Sequence, residues 1–321
     1  MPNDETMGYR RLGQAGMRVS RFGLGGWLTF GGSLRDEELA TSIMRMAFER
    51  GVNFFDIADV YAKGEAERLM GTVLREFPRH ELVISSKLFW PVSADINDRG
   101  LSRKHIMESV ERSLTRIGTD YLDIYFCHRF DPDTPLHETC RAMDDLIRQG
   151  KILYWGTSEW TGAQLREASS ICVKAGFDAP RVEQPQYNLL ERGRVESDVM
   201  PAARDLGMGL VTWSPLASGV LSGKYDEGVP VGTRLAGIEW LRESALAGDR
   251  VQRVRRMTDV ADAARCSRAQ LALAWTAAQP GVSSVILGAT SVEQLEENLG
   301  ALDVRITPEL TKALDGLFPR G

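Results

Sequence analysis

Asn53–Tyr61, NFFDIADVY, decides the reading of the fold. Phe54, Phe55 and Ile57 form an apolar run with an acid, Asp56, set inside it. Tyr61 follows where a strand gives way to a loop. Polar chemistry at the mouth of a buried strand is how barrel enzymes build their sites, because the loops at the strand C-termini share one rim. The next two strand-like runs, LVISSK and YLDIYFCH, end on Lys87 and His128. With those strands as neighbours in order, Asp56, Tyr61, Lys87 and His128 converge.

Working outward, the pattern repeats. A short hairpin, Tyr9–Leu12 with Met17–Val19, leads to a first strand at Ser20–Gly26. After the Asn53 strand come Leu82–Leu88, Tyr121–His128, Leu153–Ser158, Arg181–Tyr187, Gly209–Ser214 and Ser283–Leu287. These runs are apolar throughout rather than alternating, as expected of strands buried on both faces. Helical spacing fills the gaps. Asp36, Glu37 and Glu38 suit a helix N-terminus with Leu39, Ile43, Met46 and Ala47 on one face and Gly51 beyond its end. A second helix spans about Glu65 to Phe77. Ser102 caps a helix that Gly118 ends. Pro135 opens another at N1, closing at Gly150. Thr161-Gly-Ala-Gln164 is a capping box for a helix to Ala175, with Gly176 past it. A helix broken near Pro201 reaches Gly207. Helices at about Asp249–Ala264, Ser267–Ala278, Val292–Leu299 and Pro308–Leu317 complete the set. Leu216–Gly248 is long, glycine-rich and without period, the kind of loop that carries function.

The expectation is one (β/α)8 TIM barrel over residues 1–321, with an N-terminal β-hairpin cap and a long loop after strand seven. A doubly wound sheet is the alternative. Eight units and the lack of a dinucleotide fingerprint count against it, since GLGG at Gly23–Gly26 is too short and reads as a turn. The 43% hydrophobic and 26% charged content is that of a globular protein, and a net charge of −5 carries no basic surplus for nucleic acid. No run approaches a membrane span, and MPNDETMGYR is unlike a signal peptide. Cys127, Cys140, Cys172 and Cys266 show no zinc spacing and read as reduced thiols in a cytoplasmic protein.

The rim residues suggest proton transfer. An unperturbed phenol titrates at about 10, and bringing it near 7 takes roughly 4 kcal/mol. One ammonium about 4 Å away at a near-surface dielectric supplies an attraction of that size. Lys87 would so activate Tyr61, Asp56 would hold Lys87 charged, and His128 would donate a hydrogen bond to a substrate oxygen. Read singly, each is as well explained by capping, packing or solvation; their joint placement carries the case. A phosphate site is expected late in the chain, where Gly288-Ala-Thr-Ser291 precedes the Val292 helix and Lys224 and Arg234 lie in the long loop. Ser291-Val-Glu-Gln294 is equally a capping box. Trp27, Trp90, Trp160 and Trp213 fall near strand ends and suit an apolar pocket, with Phe89 among its walls.

FDIADVYAKGEAE, GLSRKHIMESVERSL, YWGTSEW, VTWSPLASGVLSGKY and SSVILGATSVEQLEENLGA resemble the aldo-keto reductase superfamily, from about Gly8 to Leu317, and within it the branch of the voltage-gated potassium channel beta subunits. The resemblance implies a barrel that binds NADPH and reduces carbonyls. Asp56, Tyr61, Lys87 and His128 match the catalytic tetrad, Tyr61 being the acid. Ser158 and Gln184 would hold the nicotinamide carboxamide, and Trp213 would stack on the ring, with Trp27 and Asp56 nearby. Ser214, Leu216 and Ser218 would line the pyrophosphate. Lys224 and Arg234 would meet the 2′-phosphate and its surroundings, and Gly288, Thr290, Gln294, Glu297 and Asn298 the adenosine end. Trp27, Phe89, Trp90 and Trp160 would shape the substrate pocket.

The chain departs from the channel subunits in four places. It has His128 where they carry asparagine, Glu159 where they carry arginine, Gly232 for a tyrosine and Gly26 for a threonine. It also lacks the long N-terminal extension of some of them. The implied function is NADPH-dependent reduction of an aldehyde or ketone, without a metal, in a homo-oligomer that is a tetramer by analogy. The alternatives are an NADPH-binding regulatory subunit with little turnover and a Schiff-base lyase using Lys87.

Overall fold

A computed structural model describes residues 7–34 and 36–320. The polar tip at 1–6, weighed above against a signal peptide, lies outside them. Two strands, β1 (Tyr9–Arg11) and β2 (Arg18–Ser20), form an antiparallel hairpin. Eight parallel strands follow: β3 (Phe22–Gly25), β4 (Phe54–Asp56), β5 (Val83–Leu88), β6 (Leu122–Cys127), β7 (Ile152–Ser158), β8 (Val182–Gln184), β9 (Gly209–Thr212) and β10 (Val282–Leu287). They pair in chain order, and β10 returns to both β3 and β9, closing a (β/α)8 barrel. Parallel neighbours need a long crossover, and helices supply it between successive strands. No helix among the described residues is long and apolar enough to cross a membrane.

Alternation along the strands makes two cores. Phe54, Val83, Ile124, Phe126, Val182, Val211 and Ile286 fill the barrel, plugged by Leu12, Ala15 and Val19 from the hairpin. Phe55, Ile84, Tyr125 and Cys127, one residue out of phase, pack outward under the helices. Continuing the inward parity puts Asp56, Ser85, Lys87, His128, Ser158 and Gln184 on the interior face toward the C-terminal rim. Interior space is tight enough to require glycine. A Cβ on Gly156 would stand 2.4 Å from Val182, and one on Gly23 would stand 2.7 Å from the Phe54 ring. Gly23–Gly25 of the GLGG segment are therefore strand rather than turn, with Gly26 just beyond it; the glycines allow close packing.

Local signals set most boundaries. Asp36, Ser102 and Thr161 accept the capping N–H bonds of helices Glu37–Glu49, Arg103–Ile117 and Gly162–Ala175. Gly118 and Gly176 end the last two in the left-handed conformation. Four details differ from the sequence reading. Pro135 is the N-cap residue and the helix starts at Leu136. The strand expected at Arg181–Tyr187 ends at Gln184, where Pro185 has no N–H for the ladder. Ser291 caps its helix, but the Gln294 side chain turns to the Thr290 N–H and hydroxyl, each at 2.9 Å. Residues 216–248 hold a 3-10 turn, Ala217–Ser222, and helices Arg234–Gly237 and Glu239–Ala245, too short to show a period.

Candidate active site

Beyond β4 the chain keeps laddering with β5. Ile57 donates to the Ser85 carbonyl at 3.1 Å and Asp59 to the Lys87 carbonyl at 3.2 Å. The turn then breaks sharply. Ala62, Lys63 and Gly64 take φ of +49°, +58° and +91°, a left-handed run that sets Tyr61 over the barrel mouth. Lys87 has no solvent exposure. Its Nζ donates to Asp56 Oδ2 at 2.6 Å, to the Ile57 carbonyl at 2.7 Å and to Tyr61 Oη at 3.3 Å. An ammonium has three protons, and all three are taken. Tyr61 Oη therefore accepts from Lys87, and its own proton is left to point elsewhere. A lysine held as an ammonium by these three bonds has no lone pair for a Schiff base, which counts against the lyase alternative.

Asp56 is pinned in turn. Ser85 Oγ donates to its Oδ1 at 2.7 Å and Gln184 Nε2 to the same atom at 3.0 Å. The His128 ring lies 5.9 Å from that of Tyr61, at 75°. Its Nδ1 is buried and has no partner among the described residues. Burial, then the charges of Lys87 and Arg129, push the imidazole well below its usual range, so it is neutral and serves as a hydrogen-bond donor rather than an ion. Burial followed by the Asp56 charge raises Tyr61 well above 10. This reverses the expected activation by Lys87. The lysine's field is spent on Asp56, and desolvation of the phenolate outweighs what remains. Burial lowers Lys87, and Asp56 opposes that shift.

The remaining expected residues ring the same mouth. Ser158 donates to the Gln184 carbonyl at 2.9 Å, and Cα register pairs Ser158 with Gln184 directly. Trp213 meets Trp27 edge to face at 5.4 Å. Ser214, Ala217, Ser218 and Gly219 all have positive φ, and the turn is closed on itself: Ala217 N–H donates to the Ser214 carbonyl at 3.0 Å, Ser218 N–H to Ser214 Oγ at 3.3 Å and Gly219 N–H to the Leu216 carbonyl at 2.9 Å. Leu216 lies in the same turn, half-buried. Lys224 and Arg234 are mutually close; burial and then Arg234 lower Lys224, and burial lowers Arg234. The two acids that follow Lys224 most closely are committed elsewhere, Asp226 to Arg268 at 2.8 Å and Glu227 to Arg255 at 3.2 Å. Among the described residues neither Lys224 nor Arg234 has an ion-pair partner. Arg234 passes within 3.9 Å of where a Gly288 Cβ would stand and lies 5.9 Å over Trp27. Asn298 Nδ2 reaches the Gly288 carbonyl at 3.5 Å, and Gln294 binds Thr290. Glu297 accepts from Gln270 only through its carbonyl. Two cations without ion-pair partners among the described residues, set between the loops after β9 and β10, fit a phosphate-bearing dinucleotide.

Phe89 and Trp90 meet at 5.1 Å beside His128. Trp160 departs from the expected pocket wall. It is fully buried against Phe130 at 5.0 Å and presents no surface to the cleft. Two contributors went unnoticed in the sequence, and a third, Glu159, stood out only as a departure from the channel subunits. Ser85 could have been found by parity, two residues before Lys87. Arg129 follows His128 and donates to its carbonyl and to Ser158 Oγ. Glu159 accepts from the Trp213 indole at 3.0 Å and from the Gln186 N–H, and pairs with Arg194. The last two rest on loop geometry that no local pattern encodes.

The model of the Aldo/keto reductase family matches residues 21–318. A rice protein (Oryza sativa subsp. japonica) named probable voltage-gated potassium channel subunit beta is 45% identical over 318 residues, 97% of this chain and 96% of its own length. An Arabidopsis thaliana protein of the same name is 46% identical over 303 residues, 93% of this chain and 92% of its own.

Proposed function

The chain belongs to the aldo/keto reductase family, a family of oxidoreductases, and from that premise we propose that it reduces an aldehyde or ketone to an alcohol with NADPH. The observation that carries this reading is the saturation of Lys87. With its three protons on Asp56, Ile57 and Tyr61, the Tyr61 proton is the one free to meet a substrate oxygen. When bound, NADPH would supply the hydride that adds to the carbonyl carbon. Lys224 and Arg234 would hold its phosphate, the turn at Ser214, Leu216 and Ser218 its pyrophosphate, and Gly288, Thr290, Gln294, Glu297 and Asn298 its adenosine end. Ser158 and Gln184 would hold the carboxamide, with Trp27 and Trp213 beside the ring.

Tyr61 and neutral His128 both aim donors at the carbonyl oxygen. As negative charge builds there, Tyr61 gives up its proton. The high pKa of the phenol keeps that proton in place across neutral pH, and the Lys87 Nζ hydrogen bond at 3.3 Å, together with the Arg129 charge, would stabilise the tyrosinate left behind. The same reading makes the protein a single barrel domain over residues 1–321, cytoplasmic, acting on a small carbonyl substrate and forming a homo-oligomer.

Tyr61→Phe should leave the NADPH dissociation constant within about threefold and lower kcat by at least about 100-fold, the usual contribution of a positioned acid. Fluorescence titration and NADPH oxidation over a panel of aldehydes and ketones measure the two. Retained turnover would reject Tyr61 as the acid. A second reading draws on the names of the relatives: an NADPH-binding subunit of a potassium channel with little turnover. It predicts tight NADPH binding and no oxidation with any compound of the panel.

A further inference from the structure

We infer that Arg129 anchors a negatively charged group of the substrate, so that the preferred carbonyl compound is an aldehyde or keto acid whose carboxylate is separated from the carbonyl by a short apolar spacer. That Arg129 anchors an anion rests on the geometry below; that the ligand is a carbonyl compound rests on the reductase reading.

A guanidinium carries five N–H donors. Among the described residues Arg129 bonds through Nη1 alone, to the His128 carbonyl and to Ser158 Oγ at 3.4 Å. No ion pair of Arg129 within 4.0 Å exists among the described residues, and the nearby acids are occupied. Asp56 holds Lys87. Glu159 holds Arg194, the Gln186 N–H and the Trp213 indole. Glu183 accepts from Thr157 and from the Trp160 N–H. Asp131 accepts from Leu101 N, Thr134 and Asp133 N. The cations of Lys87 and Arg194 share the neighbourhood, and Glu159, the strongest opposing charge on Arg129, is already paired with Arg194, so half-buried Arg129 has no carboxylate of its own. Burial lowers its pKa. A cation left in that state is costly unless an anion completes the site.

The surroundings indicate the shape of that anion's carrier. The guanidinium lies 5.6 Å over the Trp90 ring, which is 38% exposed and so opens to solvent. Trp90 also meets His128 at 6.3 Å and Phe89 at 5.1 Å, edge to face. An aromatic wall, Trp90 flanked edge to face by Phe89 and His128, therefore runs from the donors that would grip the carbonyl oxygen to the cation that would grip a carboxylate. Arginine presents the planar fork that matches a carboxylate with two parallel bonds.

The test pairs 4-carboxybenzaldehyde with its uncharged methyl ester. Each is titrated by calorimetry into the full chain, with and without NADP, and each is assayed for NADPH oxidation. The wild type should bind the acid at least about tenfold more tightly than the ester and show a similar ratio in kcat/KM. Arg129→Met should bring both ratios to about one, chiefly through the KM of the acid. Arg129→Lys, which keeps the charge and loses the fork, should keep part of the preference and guards against a folding defect in the first variant. Equal binding of acid and ester by the wild type, or a preference that survives Arg129→Met, overturns the anchor. A binding preference without turnover of either compound supports the anchor and rejects the reductase reading instead.

Discussion

Glu159 has a left-handed backbone, φ +62°, a conformation that costs a side-chain-bearing residue roughly 1–3 kcal/mol. Its carboxylate offsets the strain by accepting the Gln186 N–H, the Trp213 indole N–H and the Arg194 guanidinium. The indole of Trp213 is thereby fixed at its polar edge while Trp27 abuts its ring. Glu159→Ala should release that indole and weaken NADPH binding roughly tenfold, the worth of one hydrogen bond to a charged group. Quenching of tryptophan fluorescence on titration with NADPH measures it. If affinity holds and only thermal stability falls, Glu159 serves the Arg194 pair alone.

Behind the rim, the loop after β4 packs on helices Glu65–Leu74 and Arg103–Ile117, which approach so closely that a Cβ on Gly71 would stand 2.4 Å from the Ile117 carbonyl oxygen. Two acids are sealed there. Glu67 accepts from Ser86 at 2.6 Å and Arg116 at 2.5 Å, while Asp59 has Ser109 at 2.9 Å and an unpartnered Oδ1. Burial, then the Glu67 charge, pushes Asp59 up to about 7. The folded chain holds this proton more firmly than the unfolded chain does. Stability is thus fully present below the ordinary carboxylate pKa and declines as pH rises toward 7, by at most about 1.4 kcal/mol per pH unit. Glu183, raised to about 8 chiefly by burial, extends the decline. Urea midpoints taken from pH 5 to 9 should fall through this window, and Asp59→Asn should flatten its lower half. An unchanged slope in the variant would remove Asp59 as its source.

Across the whole molecule, closure of the barrel is what assembles the expected cofactor site. Lys224 and Arg234 follow β9 and Gly288 follows β10, and the two loops meet because β9 and β10 are paired neighbours. Asp226 and Glu227, two and three residues after Lys224, are drawn off by Arg268 and Arg255 from the helices that follow the loop. The two cations are left without acids. Replacing both, Lys224→Met with Arg234→Met, should raise the NADPH dissociation constant about 100-fold at two charged hydrogen bonds lost, and change that of NADH far less. An equal loss for both cofactors would show that these residues meet no 2′-phosphate.

The fold was legible because its signals are local. Eight apolar runs, helical spacing between them and caps such as Thr161 and Gly118 each depend on a few consecutive residues. The rim acid, lysine and histidine were legible for the same reason, since period two along a strand carries Asp56, Lys87 and His128 to the inner face once the strands are neighbours. What lay beyond reach depends on residues distant in sequence. The direction of the Tyr61 shift is a contest between burial and a lysine already claimed by Asp56. Trp160 sinks behind Phe130 instead of reaching the cleft, Glu159 turns to Trp213, and Arg129 has no ion pair among the described residues. Each is set by which loops the closed sheet brings together, and the energy of a charge or ring follows its surroundings in space rather than its neighbours along the chain.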